Sequence, residues 1–212
     1  MKPRMIVFAS GKRSGGGSGF ESLARSKELD ADIVAVVSNH ERGGVHERAM
    51  QLGVPFVHFS GPYDAEHYQK IVADSGAEWV ALSGWLRQVK GLDPQKTFNI
   101  HPALLSQFGG KFGGHGMYGN HIHEAVKVAL DAGEIAESGF TMQFVTDEID
   151  RGPAFFEKRI PLKQGMSVEE IAKAVNDAEH EWQPRITNMV VHGKIRWDGK
   201  DSTTLVVPSA IK

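Results

Sequence analysis

The sequence predicts an α/β fold: a Rossmann-like, mostly parallel sheet flanked by helices, with an antiparallel extension in the second half. Two observations predict the parallel part. Short apolar runs rich in β-branched residues recur through the first half, and a longer segment of helical composition follows most of them. A third observation predicts the extension, because two strand-like runs in the second half are separated by an acidic turn.

The first half contains five predicted strands, at residues 5–9, 33–37, 55–58, 79–82 and 98–101. Helical composition predicts three helices between them, at residues 20–29, 45–52 and 65–73. A short turn is predicted over 93–96, before the fifth strand. Alternation of this kind favours parallel pairing with crossovers on both faces of the sheet.

The second half opens with residues 102–120, which are rich in glycine and lack periodicity. A loop of this length is uncommon in compact domains without a functional reason. A helix is predicted over 121–131 with Gly133 as its C-terminal stop. The two strands of the extension are predicted over 139–145 and 154–160.

The C-terminal part is predicted to contain one long helix. Ser167 and Glu170 have the spacing of a capping box, which places the start of the helix there. The helix is expected to reach about Gln183, with a kink or a restart at Pro184. The segments 194–197 and 203–207 predict a small terminal hairpin.

The composition fits one domain spanning 1–212, without an internal repeat or a linker. The absence of cysteine excludes disulfides, thiolate metal sites and cysteine nucleophiles. Lys and Arg number 24 against 26 Asp and Glu, so the charge does not indicate a nucleic-acid partner. The apolar run at 5–9 is too short for a signal peptide, and no run suggests a membrane span, so we expect a cytoplasmic protein.

The first candidate site is the glycine-rich segment 10–20, between the first strand and the first helix. Glycines there let backbone N–H groups approach a phosphate, and the helix N-terminus adds partial positive charge. The segment lacks the P-loop order and the acidic partner of a dinucleotide site. It therefore predicts a monophosphate-type anion site, assisted by Lys12 and Arg13, with a surface loop that binds nothing as the alternative.

Two further candidates are polar. Asn99 and His101 project from the same face at the end of the fifth strand, where ligands bind in parallel sheets. An amide and a chargeable imidazole can stabilise an oxyanion, although a structural histidine is the alternative. The acidic turn at 146–153 could bring a carboxylate to His101 or be an ordinary solvated turn, and the pattern does not say which of its three acids would do so.

Two motifs together resemble the folate-dependent phosphoribosylglycinamide formyltransferase family, with its formyltransferase fold. They are Asn-Ile-His-Pro-Ala-Leu-Leu at 99–105 and Val-Thr-Asp-Glu-Ile-Asp-Arg-Gly-Pro at 145–153. The resemblance covers nearly the whole chain in length and order of elements. It departs from the family in the longer first loop, in Ser106 where proline is common, and in Gln143 where histidine is frequent.

The resemblance implies a role for individual residues. The implied catalytic residues are Asn99, His101 and Asp150, so that Asp150 is favoured over Asp147. The implied substrate-binding residues are Gly17, Ser18, Gly19 and Phe20 for the ribonucleotide phosphate, with Glu179 in the late helix. The implied folate-binding residues are Leu86, Arg87, Val89, Thr146, Asp147, Glu148 and Ile149. Residues 1–101 would form the nucleotide-binding half and 102–212 the folate-binding and C-terminal half.

The implied reaction is formyl transfer from the co-substrate 10-formyltetrahydrofolate to the amine of 5'-phosphoribosylglycinamide in purine biosynthesis. It requires no metal, and the expected partners are small molecules, with a monomer or a homodimer left open. The alternatives are a formyltetrahydrofolate hydrolase, a sugar-nucleotide amine formyltransferase and a non-catalytic nucleotide- or folate-binding module. Glycines in 102–120 permit a lid but do not require one.

Overall fold

A computed structural model describes residues 1–11 and 16–211 of the chain. The seven strands are β1 Arg4–Phe8, β2 Asp32–Ser38, β3 Phe56–His58, β4 Trp79–Ser83, β5 Thr97–His101, β6 Glu137–Phe144 and β7 Ala154–Pro161. The α-helices are α1 Ser18–Arg25, α2 Gly44–Leu52, α3 Ala65–Ser75, α4 Asn120–Asp131 and α5 Val168–Val191. In the described part of the chain, no helix is both long and apolar enough to cross a membrane.

All seven strands belong to one sheet, in the order β3-β2-β1-β4-β5-β6-β7. β1 to β5 pair in parallel, β6 runs antiparallel to β5, and β7 runs antiparallel to β6. The predicted fold class is therefore confirmed. The topology reverses direction about β1, and such switch points are where open α/β sheets bind ligands.

The core has a layer on each face of the sheet because strand side chains alternate. Met5 and Val7 of β1 pack with Phe20 of α1 and Val175 of α5. Ile6 and Phe8 face the opposite layer. There they join an aromatic cluster that includes Tyr68 of α3, Phe59 and Trp85. Helices α1 and α5 are thus fixed against one face of the sheet.

The predicted end of the last helix near Gln183 is wrong, because α5 continues through Pro184 to Val191. Proline has no N–H to donate to the carbonyl four residues earlier, which here belongs to His180. The hydroxyl of Ser22 in α1 donates to that carbonyl at 3.0 Å. A side chain from the neighbouring helix thus replaces the lost backbone bond.

Two smaller predictions also differ from the structure. Helix α1 ends at Arg25, where the backbone becomes extended at Ser26. The C-terminal tail contains one isolated bridge between Arg196 and Val206 and a 3-10 turn at Ser202–Thr204 instead of a full hairpin. The turn before β5 is confirmed, since the N–H of Lys96 donates to the carbonyl of Asp93 at 3.1 Å.

Gly139→Ala tests whether the stability of the protein depends on the close approach of β6 and β7. A Cβ at this position would lie 1.8 Å from the backbone oxygen of Lys158, so Gly139→Ala must push the strands apart. We expect it to lower the free energy of unfolding by about 3 kcal/mol or more, measured by urea denaturation. Gly133→Ala is the matched control, because its Cβ meets nothing within 4 Å and only its φ of +72° is unfavourable. Equal losses in the two variants would contradict the packing argument.

Candidate active site

A cavity of about 930 Å³ opens beyond the carboxyl ends of β1, β4 and β5. Its walls come from the start of α1, the segment after β4, the glycine-rich segment before α4, the turn after β6 and one face of α5. The Ser10 hydroxyl ties two of these walls together by accepting a hydrogen bond from the N–H of Leu86 at 3.0 Å. The cavity lies where the topology of the sheet favours ligand binding.

Most of the site residues predicted from the sequence line this single cavity. They are Gly17, Ser18, Gly19, Leu86, Arg87, Val89, Asn99, His101, Thr146, Glu148, Ile149, Asp150 and Glu179. Two others do not line it. Phe20 is fully buried in the core, and Asp147 lines a separate recess of about 270 Å³ beside Lys90. Lys12 and Arg13 lie outside the described residues.

The carboxylate of Asp150 is the meeting point of the polar groups in the cavity. Its Oδ1 accepts from Gln143 Nε2 at 2.9 Å and lies 3.5 Å from Asn99 Nδ2. Its Oδ2 accepts from the Gly114 N–H at 2.9 Å and lies 3.4 Å from His101 Nδ1. Asp150 has a φ of 54°, a left-handed conformation that is uncommon for residues other than glycine. This conformation ends the turn and directs the carboxylate back over β5 and β6.

His101 is buried at the end of β5 and has oxygen atoms near both ring nitrogens. Nε2 lies 2.6 Å from the carbonyl oxygen of Phe112, and Nδ1 faces Asp150. Because a carbonyl oxygen only accepts, Nε2 must carry the proton of that bond. A proton on Nδ1 as well gives an imidazolium whose second N–H points toward Asp150 and the cavity. That N–H is the one able to meet a substrate oxygen.

Residues Phe112, Gly113 and Gly114 form a segment that we call the backbone strap. The Phe112 carbonyl accepts from His101, and the Gly114 N–H donates to Asp150. The fully buried ring of Phe112 anchors the strap in the layer beneath α4. A Cβ on Gly113 would lie 2.4 Å from a Leu105 methyl carbon and 3.2 Å from Asp150 Cβ, so glycine lets the strap pass close to both side chains.

The start of α1 forms one end of the cavity. Gly17 has a φ of +83°, and a Cβ on Gly19 would lie 2.3 Å from the Ser83 hydroxyl, so both positions require glycine. The guanidinium of Arg48 donates to the Gly16 carbonyl at 2.8 Å and thereby orients this turn. The N–H groups of the first helical turn have no partner within the helix and carry partial positive charge. This end of the cavity can bind an anion such as a phosphate.

Helix α5 supplies a polar face to the same cavity through Lys173, Asn176 and Glu179. Asn176 Nδ2 lies 3.4 Å from the Glu179 carboxylate. Desolvation raises the pKa of Glu179 to about 7, although the Asn176 contact acts in the opposite direction. Because this pKa is close to neutral pH, Glu179 can act there either as donor or as acceptor.

A histidine on α4 also has a shifted pKa. Burial and the neighbouring His101 lower the pKa of His123.

Sequence reasoning did not identify three groups that contact the predicted catalytic residues. Phe112 and Gly114 act through backbone atoms, so their side chains carry no signal for the role. Gln143 stood out only as a departure from the pattern of the family. Its position opposite Asn99 in the β5–β6 ladder is the feature that brings it to Asp150. A correct pairing register would have been needed to predict that contact.

The profile of one protein family, described as formyl transferase, matches residues 3–187. The chain belongs to the formyl transferase family. This formyl transferase is 30% identical to a chloroplastic phosphoribosylglycinamide formyltransferase of Arabidopsis thaliana, over 92% of the chain and 68% of the plant protein. It is 27% identical to the phosphoribosylglycinamide formyltransferase of Bacillus subtilis, over 89% of the chain and 94% of that protein.

Solved structures agree with the fold. The formyl transferase superposes on glycinamide ribonucleotide transformylase 1 from Symbiobacterium toebii with a TM-score of 0.79, at 24% identity, covering 98% and 95% of the two chains. A formyltetrahydrofolate deformylase from Pseudomonas syringae gives 0.74 at 21% identity, covering 98% of this chain and 67% of that one. The family resemblance predicted from the two motifs is confirmed, whereas a cytoplasmic location stays a prediction because the plant relative is named chloroplastic.

Gly113→Ala tests the backbone strap. The added methyl group requires the Leu105 side chain to turn away and Asp150 to shift by a few tenths of an ångström, so we expect the kcat of formyl transfer to fall roughly 10-fold with little change in KM. Gly109→Ala is the control in the same loop, because its Cβ meets nothing within 4 Å. A Gly113→Ala variant with the kcat of the unmodified protein would refute the role of the strap.

Glu179→Gln tests the protonation of the α5 face. The pKa of Glu179 rises from 4.5 to about 7 on folding, so the folded state binds more protons in this window and its stability falls as pH rises through it. Since glutamine does not titrate, Glu179→Gln should be more stable relative to the unmodified protein at about pH 8 than at about pH 5. Urea denaturation at both pH values measures this difference, with exposed Glu181→Gln as the control. A difference in stability between Glu179→Gln and the unmodified protein that does not change with pH would contradict the raised pKa of Glu179.

Proposed function

We propose that this formyl transferase moves the formyl group of 10-formyltetrahydrofolate to the amine of 5'-phosphoribosylglycinamide, a step of purine biosynthesis. The observation that carries the proposal is the cavity itself. One cavity is lined by Asn99, His101 and Asp150, by the start of α1 with its free N–H groups, and by the apolar side chains of Leu86, Val89 and Ile149. The names of the relatives described above support the same reaction.

The ends of the cavity suggest how the two substrates bind. The phosphate of the ribonucleotide meets the N–H groups at Gly17, Ser18 and Gly19, and the polar face of α5 that includes Glu179 meets its sugar. The reduced folate lies against the segment 86–89 and the turn 146–149. Gln88 Nε2 donates to the Asp147 carbonyl at 3.0 Å, which links these two folate-facing segments. The formyl carbon then lies near Asn99 and His101.

The chemistry of the transfer needs an oxyanion site and a proton acceptor. The amine attacks the formyl carbon, forms a new C–N bond and gives a tetrahedral oxyanion. Asn99 Nδ2 and the Nδ1–H of His101 donate to that oxyanion, and each such donor lowers a barrier by roughly 3 kcal/mol in comparable sites. Collapse breaks the bond to N10 of the folate. Asp150, with a water, accepts the proton of the attacking amine and returns it to N10.

The assay that tests the proposal follows release of tetrahydrofolate from 10-formyltetrahydrofolate by the purified protein. We expect release with 5'-phosphoribosylglycinamide present and no release without it. Release in its absence would identify a hydrolase. No release in either case would exclude both reactions, and sugar-nucleotide amines would be the next acceptors to test.

Asp150→Asn separates catalysis from binding. The variant keeps the size of the side chain but removes the proton acceptor and the charge facing His101. We expect kcat to fall roughly 10²- to 10⁴-fold. The dissociation constant of 5'-phosphoribosylglycinamide, measured by calorimetry, should stay within a few-fold because its phosphate binds elsewhere in the cavity. Equal losses in turnover and affinity would contradict the assigned role.

A further inference from the structure

Gln143 contacts the proposed catalytic carboxylate more closely than Asn99 does. It lies on β6 directly opposite Asn99 on β5, and opposed residues of an antiparallel pair project from the same face of the sheet. Both amide nitrogens point at Asp150 Oδ1, Gln143 at 2.9 Å and Asn99 at 3.5 Å. Only the first distance is that of a well-formed N–H···O bond.

The orientation of the Gln143 amide follows from its surroundings. The side chain is 2% exposed, and within residues 1–11 and 16–211 its Oε1 meets no hydrogen-bond donor. A flipped amide would direct Oε1 at the Asp150 carboxylate, where two acceptor oxygens would repel each other. The amide therefore keeps Nε2 on Asp150 even though a buried acceptor is left unpaired, which is unfavourable for stability.

We propose that Gln143 is a positioning residue that holds Asp150 Oδ1 and thereby leaves the amide of Asn99 available to the substrate. This inference rests on the proposed function, in which Asn99 donates to the oxyanion. The Asn99 amide has two N–H donors in fixed geometry, so closing the 3.5 Å gap to Asp150 with one N–H would dictate where the other points. The short Gln143 bond holds Asp150 without that closure and leaves the Asn99 amide free to turn toward the oxyanion. Histidine is frequent at this position in the family, and glutamine provides the N–H donor without a ring that titrates.

Gln143→Leu is the first test, because leucine has a similar shape and no donor. Asp150 should then recruit Asn99, and kcat should fall roughly 10- to 100-fold with the KM of both substrates little changed. The unfolding temperature should change little, because removal of the unpaired Oε1 opposes the loss of one hydrogen bond to the Asp150 carboxylate. An unchanged kcat, or a loss of kcat explained by a lower unfolding temperature, would overturn the proposal.

Asn99→Ala, made with and without Gln143→Leu, measures the competition directly. We expect Asn99→Ala to reduce kcat several-fold less in the Gln143→Leu background, where Asn99 is already held by Asp150. Independent effects would overturn the proposal. Should Gln143→Leu fail to fold, Gln143→Met takes its place, because methionine has a similar length and no N–H or O–H donor, and it should lower kcat to a similar extent.

A readout that does not depend on activity separates this inference from the proposed function. The side-chain amide signal of Gln143 in the ¹H–¹⁵N NMR spectrum should shift more than any other glutamine side-chain signal on Asp150→Asn. Absence of that shift would refute the contact. If the unmodified protein does not transfer formyl groups while the shift is present, the proposed function fails and the contact between Gln143 and Asp150 stands.

Discussion

The arrangement of the cavity depends on the acceptor oxygens of one carboxylate. Asp150 receives the side-chain amide of Gln143 and the backbone N–H of Gly114, and it faces Asn99 and His101. These groups come from β5, β6 and the segment before α4, so the carboxylate links three separate parts of the chain. Hydrogen bonds to a charged group are stronger than neutral ones, and together they can offset the left-handed backbone at Asp150.

The two kinds of strand pairing have different roles in this fold. The parallel strands present their carboxyl ends and the start of α1 to one edge, which forms the proposed anion-binding region and a groove beside it. The antiparallel strand β6 places Gln143 opposite Asn99, and the turn that follows folds back to bring Asp150 to both. In the proposed function, Asn99, His101 and Asp150 therefore lie between the two proposed binding regions, where an acceptor amine and a bound formyl donor would meet.

Much of this architecture could be predicted from the sequence because its signals are local. Apolar runs, glycine stops and the capping box at Ser167 each depend on a few neighbouring residues, and the structure contains that box. The continuation of α5 through Pro184 could not be predicted, because it depends on Ser22 far away in the chain. The backbone strap could not be predicted either. Its contacts use the Phe112 carbonyl and the Gly114 N–H, and nearly every residue has these backbone groups, so the sequence contains no signal for them. The prediction for Phe20 is wrong in the opposite way: the resemblance assigns it to the phosphate site, but its side chain belongs to the core.

The most direct test of the central role of Asp150 is the hydrogen exchange of the Gly114 amide. We expect this amide to exchange slowly in the unmodified protein because it donates to Asp150 Oδ2 at 2.9 Å. In Asp150→Ala it should exchange many times faster, while the backbone amides of β5 keep their protection. A Gly114 amide that exchanges equally fast in both proteins would show that the carboxylate does not hold the strap, and would contradict the central place of Asp150 in the site.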